Sequence, residues 1–201
     1  SGSYHSLFAQ DDIGLVVRSD TGYLCRINTD HSITALVAVD KSARMSYAFV
    51  NRQVYFANGV SKGIIVNGTY VPWTGLEPTG PTTFRVTSDP PVGNKVMYYH
   101  GRMYIAQDNI IWYSQPFAYS HFILGSNFIP FAERITMLRE VCGKNSWGTE
   151  GFYVGCAGHG VYYLGGDSPN DFGITQVTSD EVVEWTDVMV DGRFIGEEGV
   201  Q

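Results

Sequence analysis

A pair of short apolar runs, parted by a polar or glycine-bearing break, recurs along this chain and restricts its fold more than any other feature. Residues 96–114, VMYYHGRMYIAQDNIIWYS, show the pattern most fully. Three runs rich in β-branched and aromatic residues are separated by His100-Gly101-Arg102 and by Gln107-Asp108-Asn109, both suited to turns. Such runs read as consecutive antiparallel strands. A hairpin this short cannot bury both faces by itself, so it requires neighbours of the same kind.

The neighbours are present. Gln53 to Ala57 followed by Gly63 to Val66 is one, and Gly151 to Gly155 followed by Val161 to Leu164 is another. A weaker copy joins Gly14 to Arg18 with Tyr23 to Ile27, and a fifth begins at Gly192 to Gly196. With Leu15, Val54, Met103, Phe152 and Phe194 taken as equivalent, the steps are 39, 49, 49 and 42 residues. A period of about 40–50 residues made of strands without helix is the mark of β-propeller blades. The expected fold is all-β, a β-propeller or partial propeller of about four to five blades, as a single domain over 1–201.

Taken in order, the blades fall at about 4–40, 44–73, 96–131 and 135–177, with an incomplete one at 182–201. Asn67-Gly68 predicts a type I′ hairpin turn in the second. Residues 74–94 hold four of the eight prolines (Pro78, Pro81, Pro90, Pro91). Proline removes a ladder N–H, so this is a connection or an edge, not a central strand. Gln115 to Phe122 reads as a loop with buried aromatics, Phe128 to Phe131 as a short outer strand, and Lys144 to Glu150 as an exposed loop. Val182 to Val190 is expected to open the fifth blade. No segment holds a 3.6-residue period for more than two turns. The missing initiator Met and the cut-off last blade are expected of a segment of something longer, or of a ring closed by strands from another chain.

Composition narrows the function. The 201 residues carry a net charge of −7 with no Lys/Arg cluster, so the electrostatic footprint of a nucleic-acid binder is absent. Charged residues are only 16% of the chain, which suits a protein that covers much of its surface with partners. Cys25, Cys142 and Cys156 are an odd, widely spaced set that does not make a disulfide framework. Neither a membrane-span-length apolar run nor a leader of basic-then-apolar shape is present, so no membrane partner is expected.

The constellations with chemical potential are sparse. Cys156 and His159 lie three apart with Cys142 fourteen residues before Cys156, short of the paired spacings of a zinc site. His5, His31, His100, His121 and His159 are scattered near predicted turns, and no nucleophile elbow accompanies them. Asp11-Asp12, Asp187/Asp191 and Glu197-Glu198 are acidic pairs that read as solvated turn carboxylates unless two converge on one bond, as a glycosidase requires. Ser19-Asp20-Thr21-Gly22 is one imperfect copy of the sialidase turn and is not repeated. Asn67-Gly68-Thr69 also spells a glycosylation sequon, for which the hairpin reading is preferred. No residue is assigned a catalytic, cofactor-binding or metal role, and no cofactor is expected.

One resemblance rests on longer strings. His5-Ser6-Leu7-Phe8, Gly22-Tyr23-Leu24-Cys25-Arg26-Ile27, Met45-Ser46-Tyr47-Ala48 and Val54-Tyr55-Phe56-Ala57-Asn58-Gly59 are similar to propeller-like structural proteins of tailed bacteriophages and prophages. So are Gly101 to Ala106, Ile111 to Phe117, Gly151 to Val154 and Val161 to Gly166, and the likeness covers most of residues 5–166. The resemblance implies a non-enzymatic virion component of the tail or head–tail junction, made in the host cytoplasm. Its implied partners are copies of itself and other virion proteins. The competing expectation is a carbohydrate-binding or glycan-cleaving propeller used in host attachment, with two close carboxylates or an arginine group in a funnel. A third is a protein-interaction propeller of cellular origin.

Overall fold

A computed structural model describes residues 2–75, 88–141, 150–190 and 193–195, with 188–190 and 193–195 as backbone alone. Pro78 and Pro81 in the proline-rich connection, Cys142, the loop from Lys144 to Thr149, Asp191 and Glu197-Glu198 lie outside the described residues.

Every helix or strand among the described residues is a strand, and every named pairing is antiparallel. The first sheet runs β1 (Tyr4–Gln10), β2 (Ile13–Arg18), β3 (Tyr23–Ile27), β4 (Ile33–Ala38) in spatial as in chain order. The second repeats this with β5 (Ser46–Val50), β6 (Gln53–Ala57), β7 (Lys62–Val66) and β8 (Thr69–Val71). The third holds β9 (Lys95–Tyr99), β10 (Arg102–Gln107), β11 (Ile110–Gln115), β12 (Ala118–Phe122) and β13 (Phe128–Pro130). The fourth is β14 (Ile135–Glu140), β15 (Gly151–Cys156), β16 (Gly160–Gly165) and β17 (Gly173–Thr178). A hairpin of β18 (Val188–Val190) and β19 (Arg193–Ile195) follows. The described residues thus form an all-β partial propeller of four full blades and one hairpin.

The second strands of the two middle blades explain why their runs are apolar at successive positions. In β6, Val54 and Phe56 pack against Leu15, Val17 and Leu24 of the first blade. Tyr55 and Ala57, on the opposite side of the pleat, pack with Val96, Met103 and Ile105 of the third. β10 repeats this one blade on, since Tyr104 and Ala106 meet Phe152, Val154 and Leu164 of the fourth. A strand caught between two sheets must be apolar on both faces, and side chains alternate with a period of two. The equivalent residues Leu15, Val54, Met103 and Phe152 are each fully buried. Phe152 sits among the rings of Tyr99, Tyr104 and Phe172, with centroids 5.2–5.3 Å away.

Turn chemistry fixes the registers. Asn67 and Gly68 have φ of 50° and 74°, the type I′ pattern, and close the β7–β8 hairpin. The expected loop over Gln115 to Phe122 is instead the strand β12, which departs from the sequence reading. Gln115 pairs with Ala118, leaving Pro116-Phe117 as a two-residue turn. Proline supplies the first corner, and Phe117 takes a φ of 56°, where glycine is usual. The Phe117 amide donates to the Gly101 carbonyl at 2.6 Å. The outer edge of the third blade is therefore shared, with β12 on one end of β11 and β13 on the other. The fifth blade also departs from expectation: β18 begins only at Val188, and the stretch before it does other work.

Candidate functional site

The four inner strands β1, β5, β9 and β14 lie side by side in that order, so their exposed ends share one hub. A cleft of about 300 Å³ opens there. Ser6 to Phe8 line it from β1, Arg44 to Tyr47 from β5 and the residues before it, and Lys95 from β9. Leu138 and Arg139 come from β14, and Trp185 and Asp187 from the segment between β17 and β18.

That segment, Val182 to Asp187, lies along the hub as a strap. Val182 packs with Met137, Val141, Tyr153 and Val161 on the far face of the fourth blade. Glu184 accepts a hydrogen bond from the Lys95 ammonium at 2.9 Å and another from the Arg134 guanidinium at 2.8 Å. The Asn94 amide donates to Glu184 and to the Ile135 carbonyl, both at 3.2 Å. Asp187, buried at 8% exposure, is paired with Arg139. The sequence reading had Asp187 as a solvated turn carboxylate, and its ion pair with β14 overturns that.

Lys95 is the most perturbed of these groups. Its side chain is 5% exposed, and the Trp185 ring lies against the ammonium with its centroid 2.9 Å from Nζ. Burial pushes the ammonium down from 10.5 to about 8, against the opposing pull of Glu184 and Asp187. Burial also pushes the Glu184 carboxyl up, but its bonds from Lys95 and Arg134 outweigh that, and it ends below its ordinary value. Lys95 falls because burial outweighs Glu184 and Asp187, whereas Glu184 holds two cations against its own burial. Trp185 has a φ of 72°, a conformation costly for a bulky residue and concentrated at clamps and functional sites.

Among the described residues, the chemistry considered from sequence does not converge elsewhere. Cys156 is a free, buried thiol pushed up to about 12 by burial, whereas His159 is exposed on the following turn. His5 lies within β1, with its ring nitrogens on Ser6 Oγ and the Lys41 carbonyl at 2.8 and 3.0 Å. His121 lies within β12, and His31 occupies an exposed turn with a φ of 64°. Asp11-Asp12 form the exposed β1–β2 turn. Ser19-Asp20-Thr21-Gly22 forms the β2–β3 turn, in which Asp20 pairs with Arg18 at 2.8 Å.

One grouping escaped the sequence reading. His100 in the β9–β10 turn meets Glu150 at 2.8 Å and Asp167 at 3.4 Å, bringing blades three and four together. These three could supply a metal ion with one atom each within 4.8 Å, but all three are exposed. Each carboxylate engages a different imidazole nitrogen. The hub residues were equally unmarked, save that Lys95 is a lone charge opening an apolar strand.

Neither a family model nor a curated protein matches this chain. Among solved structures it is similar to BBS1N in its complex with ARL6DN, at 11% identity with a TM-score of 0.53. The match takes in 92% of this chain and 57% of that one. At such identity the likeness speaks to the fold alone, and that fold is a β-propeller.

Proposed function

We propose that this chain is a non-enzymatic structural module of a tailed-bacteriophage virion, serving as a rigid docking plate in the tail or head–tail region. The family resemblance of residues 5–166 is the ground for the virion assignment. The observation that best supports an assembly role is the outer face of the first blade. Tyr4, Arg18, Tyr23 and Ala38 are cross-strand neighbours there, and Ile27 pairs with Ile33 in the same way. Tyr4, Tyr23 and Ile33 are 40–43% exposed. Among the described residues, the Leu15 face of the first blade, both faces of the second and third, and the Phe152 face of the fourth are covered by neighbouring blades, while Val182 packs on the far face of the fourth. An apolar sheet face of this kind suits another blade, from a second copy or from another virion protein.

Mass spectrometry of purified particles tests the proposal. The chain is expected among the structural proteins at stoichiometric abundance, and its consistent absence refutes the virion role. A second reading, a glycan-binding propeller, draws on a cleft of about 300 Å³ lined by Arg102, Tyr113, Gln115, Asn127 and Asn170. Planar polar side chains beside an aromatic ring suit sugar hydroxyls. Binding on a glycan array that is lost on Arg102→Ala separates the two readings.

A further inference from the structure

We propose that the hub cleft is a binding site for an oxyanion, a carboxylate or phosphate group, received by Arg44 beside Lys95 and Arg139. The inference stands on the residues of the hub and does not depend on the virion reading.

Charge balance is the first ground. Three cations, Arg44, Lys95 and Arg139, line the cleft against one carboxylate, Asp187. Glu184 adds a second negative charge just behind, but it already serves both Lys95 and Arg134. Arg139 is taken by Asp187. Arg44 has no ion pair among the described residues and is exposed to the cleft's solvent. The site thus keeps a positive excess inside a chain whose net charge is −7. A local field opposite in sign to the whole molecule is a means of selecting an anionic partner.

Shape is the second ground. The cleft is concave and holds about 300 Å³, the lower end of the range for small-ligand sites. Its walls come from the inner strands of all four blades, so it is pre-formed by the stack. The third ground is Trp185, whose left-handed backbone and ring against Lys95 keep the ammonium at the cleft wall. Burial lowers the proton affinity of Lys95, Glu184 and Asp187 raise it in part, and Arg139 lowers it slightly. Arg44 offers a planar fork matched to carboxylate or phosphate oxygens.

The test is thermal unfolding at pH 7 with added phosphate, citrate or a tri-glutamate peptide, against sodium chloride of equal ionic strength. Wild type is expected to show a saturable rise in Tm with at least one of the three beyond that with chloride. Arg44→Ala, at an exposed position, is expected to fold and to weaken the apparent affinity by about tenfold or more, the share of one charge-assisted hydrogen bond. Arg18→Ala, on the rim of the first blade, is expected to leave it unchanged. A response to the peptide as well as to the small ions marks the source as an acidic segment of a partner. A response confined to phosphate or citrate marks it as a free anion. No rise beyond chloride, or a rise that survives Arg44→Ala, overturns the proposal.

Discussion

Replacing Lys95 by Met tests the hub electrostatics most directly. Lys95 titrates near 8 instead of 10.5, so the folded protein binds its proton less tightly than the unfolded chain does. At neutral pH that difference amounts to about 3 kcal/mol held against the fold. The group is 5% exposed, so solvent screening removes little of it. Between the two values the unfolded state carries more protons, and stability therefore rises as pH rises from about 8 towards 10.5. The slope reaches about 1.4 kcal/mol per pH unit at most. Met keeps the length and the contact with Trp185 but has nothing to titrate, and Glu184 retains Arg134 as a partner. Urea unfolding at pH 7.5, 8.5 and 9.5 should show wild type gaining on Lys95→Met across this range. The comparison must be a difference. Burial also raises the Cys156 thiol to about 12 and holds Tyr47, Tyr99 and Tyr104 above their ordinary range. Those groups keep protons that the unfolded chain releases in alkali, so they lower stability there in both proteins alike. A gap between the two proteins that stays constant across the three pH values refutes the assignment of a strongly desolvated ammonium to the hub.

Glu184→Gln leaves Lys95 buried without its carboxylate and should cost about 3–5 kcal/mol in chemical denaturation, mostly recovered in the double variant with Lys95→Met. Phe152→Ala opens a cavity among the rings of Tyr99, Tyr104 and Phe172 and should cost about 3–5 kcal/mol, read by the same assay. Gly68→Val places a β-branched residue at a φ of 74° and drives its Cβ into the Arg26 guanidinium. It should lower stability by about 1–3 kcal/mol while leaving the far-UV circular dichroism unchanged.

The blades were legible in the sequence for a definite reason. A strand pressed between two sheets is apolar at successive positions, and Val54 to Ala57 and Met103 to Ala106 display this without help from distant residues. Asn67-Gly68 announced its turn because only certain residues accept two positive φ values in succession. The β12 strand was hidden because Pro116-Phe117 turns the chain where a glycine signal is usual. The hub was hidden because its partners are far apart in the chain. Lys95 and Glu184 are separated by 89 positions, and Arg139 and Asp187 by 48. No local period marks such pairs. Asp187 looked like a solvated acid because its burial is decided by where the strap lies, a property of the assembled blades.

Each blade is a meander whose strands pair with their chain neighbours, save that β13 pairs with β11, and no strand ladder is shared between blades among the described residues. A backbone cut between blades, for example between Ala38 and Ser46 or between Pro130 and Ile135, would break no named strand pairing. The molecule should therefore tolerate division at those seams, with separately made halves recombining through the exposed stacking surfaces. The cohesion of the whole then resides in the side-chain seams, with the strap tying the third blade to the fourth.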